Sequence, residues 1–192
     1  AIKAHEFDID VCHLAILPTL GEIGLLVMDM DSTAIRIECI DEIARLAGVG
    51  YQVAAVTAAA MQGKLEFADS LRSRVALLEG APVTILDEVA AAMPWMPGLQ
   101  LMVDTLKQSG WTVAIASGGF TRFAGELQQA LGLDAIFANE LAVEGGLLTG
   151  KVSGRIVDAA VKAEVLQQLA RQHEIPVAQT VAVGDGGNDL KM

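Results

Sequence analysis

The sequence predicts an α/β protein in which helices flank a parallel central sheet and a further run of helices is inserted. Three apolar, strand-like runs each end in a polar turn: Leu25–Met28 runs into Asp29-Met30-Asp31-Ser32-Thr33, Val113–Ala116 into Ser117-Gly118-Gly119, and Val181–Val183 into Gly184-Asp185-Gly186-Gly187-Asn188-Asp189. The alternation of strand and helix is interrupted once, between the first two of these, by consecutive helical segments. In open α/β sheets the ligand crevice lies beyond the carboxyl ends of the strands, so three such tips can build one site.

Along the chain, residues 1–22 hold a strand-like segment, Phe7 to Leu17, and the linker Pro18-Thr19-Leu20-Gly21-Glu22, read as the tail of an upstream region. The first core segment is 23–35. From Glu38 the spacing turns helical: Cys39-Ile40-Asp41-Glu42-Ile43-Ala44-Arg45-Leu46-Ala47-Gly48 carries apolar residues at three and four spacing and a glycine stop. Helices are expected again at Val53–Met61, Phe67–Leu78 and Val83–Met93, making 36–95 a helical insertion positioned to cover the crevice. The core resumes over 96–192, with a helix at Leu99–Gln108, a strand at Trp111–Ala116 and a helix at Thr121–Leu131. A hairpin is expected across Gly145-Gly146, followed by a helix bearing Lys162 and a strand at Thr180–Val183.

With 192 residues, 53% of them hydrophobic, the chain can bury a full core and hold an insertion. Its net charge of −11 and the absence of any basic run argue against nucleic acid as a partner. No stretch of roughly 18 uncharged apolar residues is present, which argues against a membrane span; a cytoplasmic enzyme is expected. Cys12 and Cys39 are too far apart for a zinc knuckle, and His5, His13 and His173 are scattered, giving no support to a nucleophile–histidine triad. Gly145 to Lys151 imitates a nucleotide phosphate loop, but Val152 follows, without the hydroxyl that would meet magnesium.

Asp29, Asp31, Asp185 and Asp189 brought together in a partly desolvated crevice would repel one another strongly. A divalent cation resolves this, and Mg²⁺ takes hard oxygen ligands while using few carboxylates. Ser117-Gly118-Gly119 before a helix can present a hydroxyl and N–H groups to an anion, although Ser is also a routine helix cap. Lys162 reads alone as a surface charge; beside a phosphate dianion it becomes the cation required beyond the metal. Together these parts suit phosphoryl transfer, which depends mainly on positioning and charge neutralisation.

These residues resemble the phosphoserine phosphatases of the haloacid dehalogenase superfamily. The similarity runs from Gly24 to Met192 and includes Asp29–Thr33, Glu38–Ala44, Gly110–Thr121, Ala138–Leu141, Lys162 and Gly184–Leu190. It implies a Rossmann-like three-layer sandwich with a helical cap, acting on phosphoserine through an aspartyl-phosphate on Asp29. It further implies Asp31 as acid and then base, and Mg²⁺ held by Asp29, the Asp31 main chain and Asp185. By the same resemblance Ser117, Gly118 and Lys162 hold the phosphate. Glu38 and Arg74 meet the substrate's ammonium and carboxylate, with Met61 and Phe67 as an apolar wall, Asn188 nearby and Asp189 in support. Arg72 lies two residues from Arg74, on a different helix face, so only one of them can serve.

The chain departs from that pattern in carrying Gly187 where alanine is usual and Lys191 where proline is common. Such relatives continue past the position of Met192, so a fragment trimmed at both ends is expected. Another small phosphomonoester such as phosphohomoserine, or a non-catalytic phosphate-ligand binder, are the alternatives; homodimerisation is left open.

Overall fold

A computed structural model describes residues 17–192; the expected strand at Phe7–Leu17 lies outside the described residues except for its last one. Five strands, β1 (Leu25–Met28), β2 (Thr112–Phe120), β3 (Ala135–Glu144), β4 (Leu147–Ser153) and β5 (Thr180–Val183), form one sheet in the order β4-β3-β2-β1-β5. β1 lies between β2 and β5 and is parallel to both, and β3 continues the parallel set beside β2. Buried on both faces, β1 is a continuous apolar run, as a central parallel strand should be.

Alternation along β1 and β2 divides the core in two. Leu26, Met28, Val113 and Ile115 face α5 (Leu99–Gln108) and α6 (Thr121–Leu131), packing among Val103, Phe123 and Leu127. Leu25, Val27, Ala114 and Ala116 face α7 (Ala159–Gln172) through Val161, Val165 and Leu169. The result is a Rossmann-like three-layer α/β sandwich. Among the described residues no helix is long and apolar enough to cross a membrane.

Four helices, α1 (Cys39–Leu46), α2 (Gly50–Met61), α3 (Phe67–Ala76) and α4 (Thr84–Ala92), lie between β1 and α5. Where the chain leaves the sheet and returns to it, the two connections run antiparallel, with Ile35 bridged to Trp95. Arg36 N–H donates to the Pro94 carbonyl at 2.9 Å, and Met96 N–H to that of Ala34 at 2.9 Å. A second attachment comes from β3 and β4, which pair antiparallel across Gly145-Gly146, both at positive φ as such a two-residue turn requires. This hairpin reaches the α3–α4 loop: Gly80 N–H donates to Leu148 O and Leu148 N–H to Ala81 O, each at 2.8 Å. The phosphate-loop imitation at Gly145–Lys151 is therefore part of a hairpin.

The strand expected to stop at Ala116 instead continues through Ser117-Gly118-Gly119 to Phe120, with its register against β3 shifting over that stretch. A β-bulge re-aims the side chains there without ending the strand. The residue capping α6 is Phe120, which makes no side-chain capping bond, so Ser117 is not a helix cap.

Candidate active site

Asp29 follows the last residue of β1 and is 5% exposed. Its N–H donates to Val183 O at 2.9 Å, tying the tips of β1 and β5 together. Its Oδ1 accepts the Met30 N–H at 2.6 Å, and its Oδ2 lies 2.5 Å from the Lys162 ammonium. Lys162 reaches the site because α7 begins just before it: the Asp158 carboxylate caps that helix by accepting from the N–H groups of Ala160 and Val161. The same ammonium donates to Asp189 Oδ1 at 2.7 Å. Thus Lys162, read alone as a surface charge, is 1% exposed.

The third tip contributes Asp185, whose Oδ1 accepts the Thr33 hydroxyl at 2.9 Å. One carboxylate oxygen each from Asp29, Asp185 and Asp189 lie mutually within 4.8 Å. Three anionic groups against the single Lys162 ammonium leave excess negative charge on hard oxygen donors. That donor set fits Mg²⁺ better than a softer metal.

Asp31 stands beside this group. Its Oδ2 accepts the Cys39 N–H at 3.2 Å, while its buried Oδ1 has no partner. Burial pushes the Asp31 carboxyl up to about 7; the Cys39 hydrogen bonds oppose the shift, and the charges of Glu38 and Asp29 reinforce it. Burial also pushes the Cys39 thiol up, with the Asp31 charge adding to the effect, so it stays protonated.

A pocket of about 130 Å³ opens over these groups and is lined by Asp29, Asp31, Glu38, Phe67, Arg74, Ser117, Gly118, Asp185 and Asn188, among others. Ser117 is 1% exposed, and its Oγ accepts the Gly119 N–H at 3.0 Å. Phe67 packs so closely over Gly118 that a Cβ built on this glycine would stand 2.7 Å from Phe67 Cζ. Burial raises the Glu38 carboxyl against the hydrogen bond from Ser32, and burial lowers the Arg74 guanidinium against the pull of Asp41, Glu38 and Asp31. Arg72 points elsewhere and pairs with Asp69 at the surface. Met61 does not join the wall. It ends α2, 84% exposed and outside the pocket lining, because the chain turns at Gln62-Gly63 before α3 brings Phe67 over the crevice.

Several contributors were not singled out from the sequence. Thr33 holds Asp185, and Ser32 holds Glu38 at 2.7 Å; both hydroxyls sit in the Asp-x-Asp-Ser-Thr run itself. Asn139, 1% exposed, donates to Gly118 O at 2.8 Å and accepts from Val157 N–H at 2.9 Å, joining the bulged strand to the segment before α7. Its signal was the block Ala138-Asn139-Glu140-Leu141. Ile40, Leu71, Gly119 and Phe120 complete the lining.

A largely parallel α/β sheet with carboxylates beyond two adjoining strand tips, a Ser-Gly-Gly stretch on a third strand and a buried lysine between the carboxylates defines an acid-rich site suited to phosphoryl chemistry. The model of the haloacid dehalogenase-like hydrolases matches residues 26–192, and the chain belongs to that family. It is 52% identical to the phosphoserine phosphatase of Haemophilus influenzae over 98% of its own length and 60% of the relative's. The crystal structure of a probable phosphoserine phosphatase from Vibrio cholerae, in unliganded form, superposes with a TM-score of 0.84 at 55% identity, over 92% of this chain and 55% of that one. A structure described as a phospho-aspartyl intermediate analogue of phosphoserine phosphatase superposes with a TM-score of 0.83 at 42% identity, over 89% and 82% of the two chains. The chain thus spans little more than half the length of the first two.

Proposed function

We propose that the protein hydrolyses phosphoserine to serine and phosphate, with Asp29 as the nucleophile that carries the phosphoryl group. The observation that supports this most is the shared pocket: a buried carboxylate just after β1, a second carboxyl two residues on, and an acidic and a basic side chain from the insertion all line one cavity. A relative captured as a phospho-aspartyl analogue supports the same chemistry.

In this reading Asp29 attacks phosphorus in line with the departing serine oxygen. The bond from phosphorus to that oxygen breaks as the bond to Asp29 forms. Asp31, with its carboxyl held near 7, gives its proton to the leaving oxygen and then takes one from the water that cleaves the aspartyl-phosphate. Ser117, the backbone at Gly118 and Lys162 hold the phosphoryl oxygens. Asp29, Asp185 and the Asp31 main chain, with Asp189 in support, would hold Mg²⁺, which when bound would supply positive charge against the negative charge that gathers there.

The insertion, residues 36–95, acts as the cap that supplies selectivity: Glu38 faces the substrate's ammonium, Arg74 its carboxylate, and Phe67 shields the centre. Asn188 lines the same cavity. Trapping with beryllium fluoride or aluminium fluoride in the presence of Mg²⁺ and phosphate-free buffer tests the assignment. The analogue is expected on Asp29, and Asp29→Asn is expected to abolish turnover; density on Ser117 would overturn the roles. Binding of phosphoserine without release of phosphate would favour a non-catalytic binder instead.

A further inference from the structure

Among the described residues Ser32 is one of two non-glycine residues with a left-handed backbone, at φ 57. A side chain in that region is strained and persists only where its surroundings require it. The turn is closed by Ser32 N–H donating to Ile37 O at 3.3 Å, which brings the next residue, Glu38, back alongside Ser32. The Ser32 hydroxyl then donates to Glu38 Oε1 at 2.7 Å. Glu38 stands at the N-cap of α1 but makes no side-chain capping bond, so its carboxylate is not engaged by the helix it precedes. It lines the pocket instead. A free glutamate there would sample several rotamers, and burial already disfavours its charged form.

We propose that Ser32 is a positioning residue for substrate selection. Its hydroxyl fixes one oxygen of the Glu38 carboxylate and leaves the other aimed at an ammonium group in the pocket. The cost of the left-handed backbone is maintained because that conformation places the hydroxyl against Glu38. This inference rests on the pocket reading above, in which Glu38 meets the substrate's ammonium.

Ser32→Gly separates the two contributions of this residue, since glycine accepts the same φ without steric cost while the hydroxyl is lost. Its melting temperature is expected to be no lower than that of the unchanged protein. The measurement is the ratio of kcat/KM for phosphoserine to that for the analogue in which hydrogen replaces the ammonium. That ratio is expected to fall about tenfold in Ser32→Gly, as for loss of one hydrogen bond to a charged group. In a Glu38→Gln background the same change is expected to move the ratio less than about twofold, because the two residues act as one unit.

If the unchanged protein does not discriminate between the two substrates, the pocket reading fails and this inference fails with it. If it discriminates and Ser32→Gly retains the ratio, the role of Ser32 alone is overturned. Equal losses on both substrates would also overturn it, because they would place the effect of Ser32 in the Asp29–Asp31 turn.

Discussion

The Lys162 ammonium sits between two carboxylates, 2.5 Å from Asp29 Oδ2 and 2.7 Å from Asp189 Oδ1, with all three side chains at most 8% exposed. Such a buried pair adds little over an apolar replacement of the whole group, but removing one partner strands the other charge. Here the removal of one cation strands two anions. Lys162→Met is therefore expected to destabilise the metal-free protein by about 3 kcal/mol or more, measured by urea unfolding at neutral pH. Turnover is expected to fall with it. A variant as stable as the unchanged protein would show that water or a cation from solution already balances the pair.

The Asp31 carboxyl, raised from an ordinary 3.8 to about 7, gives a pH dependence of known sign. Between those values the unfolded chain has released this proton while the folded chain keeps it, so the contribution to stability is intact below pH 4 and is lost as the pH rises to 7. Asn at position 31 cannot ionise. Metal-free Asp31→Asn is expected to match the unchanged protein near pH 4 and to exceed it at pH 8 by up to about 4 kcal/mol. Unfolding curves at several pH values read this directly. Turnover in Asp31→Asn is expected to fall steeply, because in the proposed reaction the same carboxyl serves as acid and base.

How much of this was legible follows from the range of the interactions. β5 at Thr180–Val183 and the helices Leu99–Gln108 and Thr121–Leu131 match their expected bounds, since local periodicity determines them. Ser117-Gly118-Gly119 reads locally as a turn, yet pairing with β3 on either side, at Ala116 and at Phe120, keeps it within the strand; a glycine pair signals flexibility, and only the neighbouring strand decides how it is used. The clasp between Leu148 and the loop at Gly80-Ala81 joins segments far apart in the chain, and no spacing rule announces it. Lys162 shows the same limit at the site. Its charge favours a surface position until the fold supplies Asp29 and Asp189.

Metal binding is expected to show as a rise in melting temperature on titration with Mg²⁺, since a ligand that binds only the folded state stabilises it by about 2.7 kcal/mol at one hundred times its Kd. Asp185 is the exposed member of the carboxylate group, so replacing it disturbs the core least. Asp185→Asn is expected to leave the metal-free melting temperature within a few degrees and to remove most of the Mg²⁺-dependent rise. An undiminished rise would place the metal elsewhere.

Gly118 offers the sharpest steric test. A methyl group there would stand 2.7 Å from Phe67 Cζ, closer than real Cβ contacts come, so the ring must move. The contact crosses from β2 to α3, and both residues line the pocket. Gly118→Ala is expected to cost about 1–3 kcal/mol of stability through overpacking and to lower kcat/KM at least about tenfold by displacing the ring. Removing the obstacle should undo part of this. In a Phe67→Ala background the ring atoms that the added methyl group meets first are gone, so the stability loss from Gly118→Ala is expected to shrink below about 0.5 kcal/mol. Losses that simply add across the two positions would mean that the glycine serves the backbone at Gly118 and not the approach of the ring.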